Sequence, residues 1–220
     1  MNETDMEQAR FNMIEQQIRP AEVLDPMVLS TIAEVQREQF VPTDYRDLAF
    51  SDTNIPVSDK EVMMSPIQEA RLLQALNVQS DDNILEIGTG SGYLTALLAK
   101  IGGQVTSVEI DQNLSETAAK KLRDNGIKNV TLEVGDGSKG WTSNAPYDVI
   151  AVSGSLPMMC DEFKHQLKPG GRLFVIVGNK PAMCAKLITR ISENQWSEEE
   201  LFETVIDPLQ NAEKPTEFVF

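Results

Sequence analysis

The residues with most to offer chemically lie in one segment, Leu85-Glu86-Ile87-Gly88-Thr89-Gly90-Ser91-Gly92-Tyr93. Glycines let a backbone turn tightly and let a ligand approach it closely. The spacing is Gly-x-Gly-x-Gly, and no Gly-x-x-x-x-Gly-Lys-Ser/Thr phosphate loop occurs in the chain. Glu86 stands two positions before Gly88, where a carboxylate would repel a bound phosphate and suit a cationic amine. A second carboxylate, Glu109, follows Gly90 by 19 positions. At the tip of a second strand it is placed to accept the ribose hydroxyls of an adenosine. A third, Asp136, sits in Gly135-Asp136-Gly137 and can meet an adenine amino group. The expected binding set is therefore Glu86, Gly88, Thr89, Gly90, Ser91, Gly92, Glu109, Asp136 and Gly137.

A ligand with an adenosine, a cation and no phosphate fits this set. S-adenosylmethionine has an ammonium, a sulfonium and no phosphate, so it is the expected cofactor.

These residues need strands to hold them. Asn83 to Ile87, Gln104 to Ile110, Asn129 to Val134, Tyr147 to Val152 and Arg172 to Val177 read as strands. Helices are expected over Tyr93 to Ile101, Gln112 to Arg123 and Cys160 to Leu167, the last ended by Lys168-Pro169-Gly170-Gly171. Strand-helix alternation of this kind predicts an α/β fold, a doubly wound and mostly parallel sheet with helices on both faces. Open sheets of this class bind ligands at the carboxyl ends of their strands, where the three acids fall.

Ahead of the sheet, Met6 to Ile18 reads as a helix burying Phe11, Ile14 and Ile18. Asp25 caps a second helix reaching Val35, with Pro26 at its first position. Ser51 to Met64 reads as a loop. Ser65-Pro66-Ile67-Gln68 then opens a helix to Leu76, with the Ser and Gln of a capping box. After Pro181, Lys186 to Ile191 and Leu201 to Ile206 read as an antiparallel hairpin around a polar turn, Ser192 to Glu200, and Phe218-Val219-Phe220 as a last strand. One domain is expected, with an N-terminal helical and loop part (1–80), a cofactor core (81–180) and C-terminal strands (181–220).

The chain of 220 residues carries 19 Lys and Arg against 34 Asp and Glu, a net charge of −15. Such a charge argues against gripping nucleic acid or an anionic membrane. Two cysteines, Cys160 and Cys184, and one histidine, His165, make neither a disulfide framework nor a metal cluster. His165 is expected at the surface and Trp141 in packing. No leader or apolar span stands out, so the expected compartment is the cytoplasm.

The chain resembles the protein-L-isoaspartate O-methyltransferases, class I methyltransferases that use S-adenosylmethionine. The resemblance rests on Met13 to Pro20, Phe40-Val41-Pro42, Leu48-Ala49-Phe50, Leu85 to Tyr93, Gly135 to Trp141, Ala145 to Asp148 and Gln166 to Leu173. It implies methylation of isoaspartyl carboxylates in damaged proteins or peptides, the first step of their repair. The family's substrate loop has Gly-His-Gly, then Thr-Ile-Ser and a Pro. Here that stretch reads Val57-Ser58-Asp59-Lys60-Glu61-Val62-Met63-Met64-Ser65-Pro66, keeping only the Ser and the Pro. The resemblance thus nominates Ser65 as the catalytic residue, steering a substrate carboxylate; its place in the capping box offers helix capping instead. Met63 and Met64 are candidates for a substrate wall or for core. The altered loop leaves two further readings open: a methyltransferase for another carboxylate or small molecule, and a non-catalytic S-adenosylmethionine-binding protein.

Overall fold

The computed structural model describes residues 3–215. In chain order its strands are β1 (Ile55–Pro56), β2 (Val62–Met63), β3 (Asn83–Ile87), β4 (Gln104–Glu109), β5 (Val130–Val134), β6 (Tyr147–Leu156), β7 (Leu167–Asn179), β8 (Ala182–Ser192) and β9 (Gln195–Glu203). Its α-helices are α1 (Glu3–Met13), α2 (Pro26–Glu34), α3 (Pro66–Leu76), α4 (Tyr93–Ile101), α5 (Gln112–Asp124) and α6 (Asp161–His165).

A seven-stranded sheet runs in the order β5-β4-β3-β6-β7-β8-β9. The strands from β5 across to β7 pair in parallel, and β8 and β9 add an antiparallel edge. The chain moves outward from β3 through β4 to β5, then returns to lay β6 on the other flank of β3. The strand order therefore reverses at β3 and β6, where a crevice opens at the strand ends.

Period-two alternation sorts the strand side chains onto two faces. Ile84, Val149, Ala151, Phe174 and Ile176 join the core that also buries the N-terminal helices and α4. Leu85, Ile87, Ile150, Val152, Leu173 and Val175 pack on the opposite side with Phe163 of α6. Asp25 caps α2, accepting from the Met27 and Val28 amides.

Several expectations need correction. Phe11 is 58% exposed, and the buried face of the first helix is formed by Arg10, Met13, Ile14 and Ile18. The helix widens into a π turn over Ile14–Ile18, which shifts the stripe away from Phe11. Ser51 to Met64 is not all loop, because β1 and β2 pair antiparallel. Lys168 to Gly171 does not end an element. It bulges within β7, where the pairing passes from Tyr147↔Leu167 to Val149↔Arg172. The polar turn of the hairpin is short, with Ser192 facing Gln195. Glu198, Glu199 and Glu200 lie within β9, exposed on the sheet edge, where charge discourages pairing with another chain. Phe218-Val219-Phe220 falls outside the described residues.

The junction that sets the crevice is the turn from β3 into α4. Gly92 adopts φ 83, and a Cβ there would lie 3.2 Å from the Cβ of Ala118 on α5. Gly92→Ala should therefore cost about 1–2 kcal/mol from left-handed backbone strain alone. Urea denaturation would measure it, and an unchanged midpoint would mean that the turn tolerates a side chain.

Candidate active site

A cavity of about 840 Å³, counting its open mouth, occupies the switch point. Its floor is the glycine turn, where Gly88, Thr89, Gly90 and Ser91 line it. The turn is tied down from three sides. Ser153 at the end of β6 donates its hydroxyl to the Ile87 and Gly88 carbonyls, at 2.9 and 2.7 Å. The Thr89 hydroxyl lies 2.6 Å from that of Ser107 on β4. The Gly90 amide donates to Glu109 Oε2 at 2.8 Å.

Glu109 ends β4 and lines the cavity, as expected. Its other oxygen accepts from the Asp111 amide at 3.1 Å. Burial pushes its carboxyl up, opposed by the Gly90 and Asp111 amides. Asp136 and Gly137 line the next part of the wall. Partial burial works against ionisation of Asp136, yet hydrogen bonds from Ser138 and Asn211 hold its carboxyl below the ordinary range. A side chain at Gly137 would have to displace Ile87, whose Cδ1 would lie 2.8 Å from the added Cβ.

Glu86 does not line the cavity. By strand parity it shares the face of Ile84, beneath α4, and it is fully buried. Its Oε2 accepts from Thr95 on α4 at 2.5 Å and from Ser107 at 2.6 Å. It braces the turn from behind. Gly92 likewise stands outside the cavity, against α5.

Ser65 is not brought to this cavity either. Its hydroxyl accepts from the Gln68 amide while Gln68 Oε1 accepts from the Ser65 amide, so the capping box is formed. It borders a neighbouring polar cleft with Asp52 and Arg71. The residues just before it, Met63 and Met64, are buried and line the cavity while joining the core.

Three contributions carried no local signal. Glu69 on α3 and Glu61 before β2 are lining residues. The third is a strap, Ile206 to Gln210, which crosses the cavity. It is pinned to β6 by Ser155, whose amide donates to the Asp207 carbonyl and whose carbonyl accepts from the Leu209 amide. Leu209 lies against Gly154, Gln210 donates to Glu61 at 2.6 Å, and Asn211 donates to Asp136 at 3.0 Å. Trp141 packs on Gly135 and stays out of the cavity, His165 is exposed, and both cysteines are free and half-buried. Among the described residues five carboxylates line the cavity, Glu61, Glu69, Glu109, Asp136 and Asp207, with no Lys, Arg or His.

A parallel sheet of this order, a glycine turn after its central strand and an acid at the next strand's tip define a class I S-adenosylmethionine-dependent methyltransferase. The cationless wall suits a donor that carries positive charge. Within that class, the family model for protein-L-isoaspartate(D-aspartate) O-methyltransferase matches residues 8–214, and the chain belongs to this family. It is 41% identical over 202 residues to a protein-L-isoaspartate O-methyltransferase of Rhodopseudomonas palustris, covering 91% of this chain and 93% of that one. A Brucella anthropi relative of the same name is 35% identical over 206 residues, covering 93% and 94%. A solved protein-L-isoaspartate O-methyltransferase structure superposes with a TM-score of 0.77 at 25% identity, covering 90% of this chain and 65% of that chain. The fold is also that of a putative Plasmodium falciparum protein-L-isoaspartate O-methyltransferase solved with S-adenosyl-L-homocysteine, with a TM-score of 0.77, 18% identity and 93% and 98% coverage. The family's methyl donor is S-adenosylmethionine. Among the described residues no helix is long and apolar enough to cross a membrane.

Two predictions follow from this geometry. Burial pushes the Glu86 carboxyl from its ordinary 4.5 up to about 8, against the hydroxyls of Ser107 and Thr95 and with repulsion from Glu109 and Glu69. A carboxyl raised on folding costs stability as pH climbs from the unfolded value to the folded one. Glu86→Gln removes that cost, so its Tm relative to the parent should rise from pH 5 to pH 8 and then level. A pH-independent difference would mean that Glu86 ionises in the fold as it does in water. Ser65→Ala should lower stability by about 0.5–2 kcal/mol as a lost cap. It should leave S-adenosylmethionine affinity unchanged, as calorimetry beside denaturation would show.

Proposed function

We propose that this protein transfers the methyl group of S-adenosylmethionine to the side-chain carboxylate of L-isoaspartyl residues in damaged proteins or peptides. The observation that carries the reading is the glycine turn with its strand-end acids, set in a chain that matches that family over residues 8–214. Glu109 takes the ribose hydroxyls, Asp136 and Gly137 face the adenine, and Gly88 to Ser91 carry the chain between them. The bound cofactor supplies an electrophilic methyl on a sulfonium.

A carboxylate acceptor is already ionised at neutral pH, with a reference pKa near 4. It needs no general base, and the one histidine is exposed and stands outside the cavity. What the residues contribute is alignment and exclusion of water. Met63, Met64, Ile206 and Leu209 supply apolar walls. The Glu61–Gln210 bond joins the β1–β2 hairpin to the strap at the rim.

The acceptor is read as a protein or peptide. The net charge of −15 and the cationless cavity speak against nucleic acid. A cytoplasmic setting goes with the two unpaired cysteines. One observation favours a second reading, a different acceptor: the hairpin lacks the Gly-His-Gly of the family's loop and brings the Glu61 carboxylate to the cavity, where it would repel an anionic acceptor.

Assaying labelled S-adenosylmethionine with an isoaspartyl peptide and its aspartyl twin decides between them. Methyl transfer to the isoaspartyl peptide alone is expected. Cofactor binding without transfer to either peptide would transfer support to the second reading.

A further inference from the structure

Glu69 has no part in the reaction as described, yet it is placed to take one. It lies on α3, is 2% exposed and lines the cavity. Its Oε2 accepts a hydrogen bond from Arg37 Nη1. Its Oε1 accepts none from any described residue and is not sealed from the cavity. Arg37 is wholly buried behind it, outside the cavity wall, and its second arm donates to the Met64 carbonyl at 2.7 Å. A ligand therefore meets the carboxylate and not the guanidinium.

A nearly buried carboxylate oxygen without a donor is costly. Open to the cavity, such an oxygen is met by water in the free protein, and because no cationic side chain among the described residues lines the cavity, a cationic donor has to arrive with the ligand. The direction of the ligand is set by the sheet. Glu109 and Asp136 mark the adenosine end, at β4 and β5, while α3 packs on β7 beyond the switch point. A donor lying along the glycine turn sends its amino-acid end toward α3. Glu86 is not available for that end, since it is held behind the turn by Thr95 and Ser107.

We propose that Glu69 receives the α-ammonium of the methionine moiety of S-adenosylmethionine, with Arg37 as the residue that positions it. Burial raises the Glu69 carboxyl to about 7 against the pull of Arg37, a cost that a bound ammonium offsets. The proposal rests on the cavity's holding S-adenosylmethionine.

Calorimetry with two ligands tests it. S-adenosylhomocysteine keeps the ammonium, and methylthioadenosine keeps the adenosine but lacks the whole amino-acid end. Glu69→Gln should weaken S-adenosylhomocysteine by about 10- to 100-fold, the range for a hydrogen bond to a charged group. It should hold methylthioadenosine as the parent does, which also shows that the variant is folded. Because Glu69→Gln leaves Arg37 without a counter-charge, the double variant Arg37→Met, Glu69→Leu removes both buried charges. The same split between ligands is expected of it. In the parent protein, the deaminated analogue of S-adenosylhomocysteine should bind about 10- to 100-fold more weakly than S-adenosylhomocysteine itself. Parity of those two ligands, or an equal loss of both probes in a folded variant, overturns the assignment. If the parent binds neither S-adenosylhomocysteine nor methylthioadenosine, the cofactor reading of the cavity fails instead.

Discussion

A guanidinium buried away from water needs acceptors for its charge, and Arg37 organises the substrate side of this protein by that demand, with both terminal nitrogens paired and only its Nε without a partner among the described residues. It sits in a short 3-10 turn, Arg37–Gln39, and is wholly buried. One arm meets Glu69 on α3, the other holds the Met64 carbonyl at the end of the hairpin, and the group lies 4.9 Å from the Tyr93 ring at the start of α4. The next residue, Glu38, takes Arg10 from α1, and the Phe40 carbonyl takes Lys121 from α5 at 2.5 Å. Three residues within four positions, Arg37, Glu38 and Phe40, thereby connect the N-terminal helices, the hairpin and the helices flanking the glycine turn. Leaving any one of these charges unpaired would cost more than the pair contributes, so the contacts specify one arrangement.

The same economy of charge governs the cavity. A site for a phosphorylated cofactor gathers cations or helix amides around an anion. This one gathers carboxylates and keeps its cations behind the wall. Arg37 stays within the core, and Lys139 at the rim turns outward to Glu213. A donor carrying a sulfonium and an ammonium is drawn in by that field, whereas nucleoside phosphates are repelled. An anionic acceptor enters against it and relies on the donor's positive charge for compensation.

The strap makes the cavity a pocket instead of an open crevice. The Ile206 carbonyl accepts the Ser155 hydroxyl at 3.1 Å, and Leu209 covers Gly154. Gln210 and Asn211 reach across to the hairpin and to Asp136. The rim thus depends on contacts between three separate stretches of chain.

Sequence by itself determined the parts that local geometry controls. The passage from an apolar strand through Gly88, Gly90 and Gly92 to a helix is legible because backbone sterics act within a few residues. So are the Asp25 and Ser65 caps, and the strand-end positions of Glu109 and Asp136. Strand parity was also present in the sequence: Glu86 and Ile84 share a face, which turns Glu86 from the ligand toward Thr95. Only the tertiary structure decided the rest. Spacing offers Ser65 as a cap and the family resemblance offers it as a substrate contact, and the way α3 packs sent it to the neighbouring cleft while bringing Glu69 to the cavity. Glu198 to Glu200 look like a turn because they are charged, yet an edge strand with a solvated face accepts charge as readily. Glu61 and Gln210 meet across 149 residues, and Asp136 and Asn211 across 75. Contacts at that range leave no local periodicity, because they arise from how packed layers bring distant segments together.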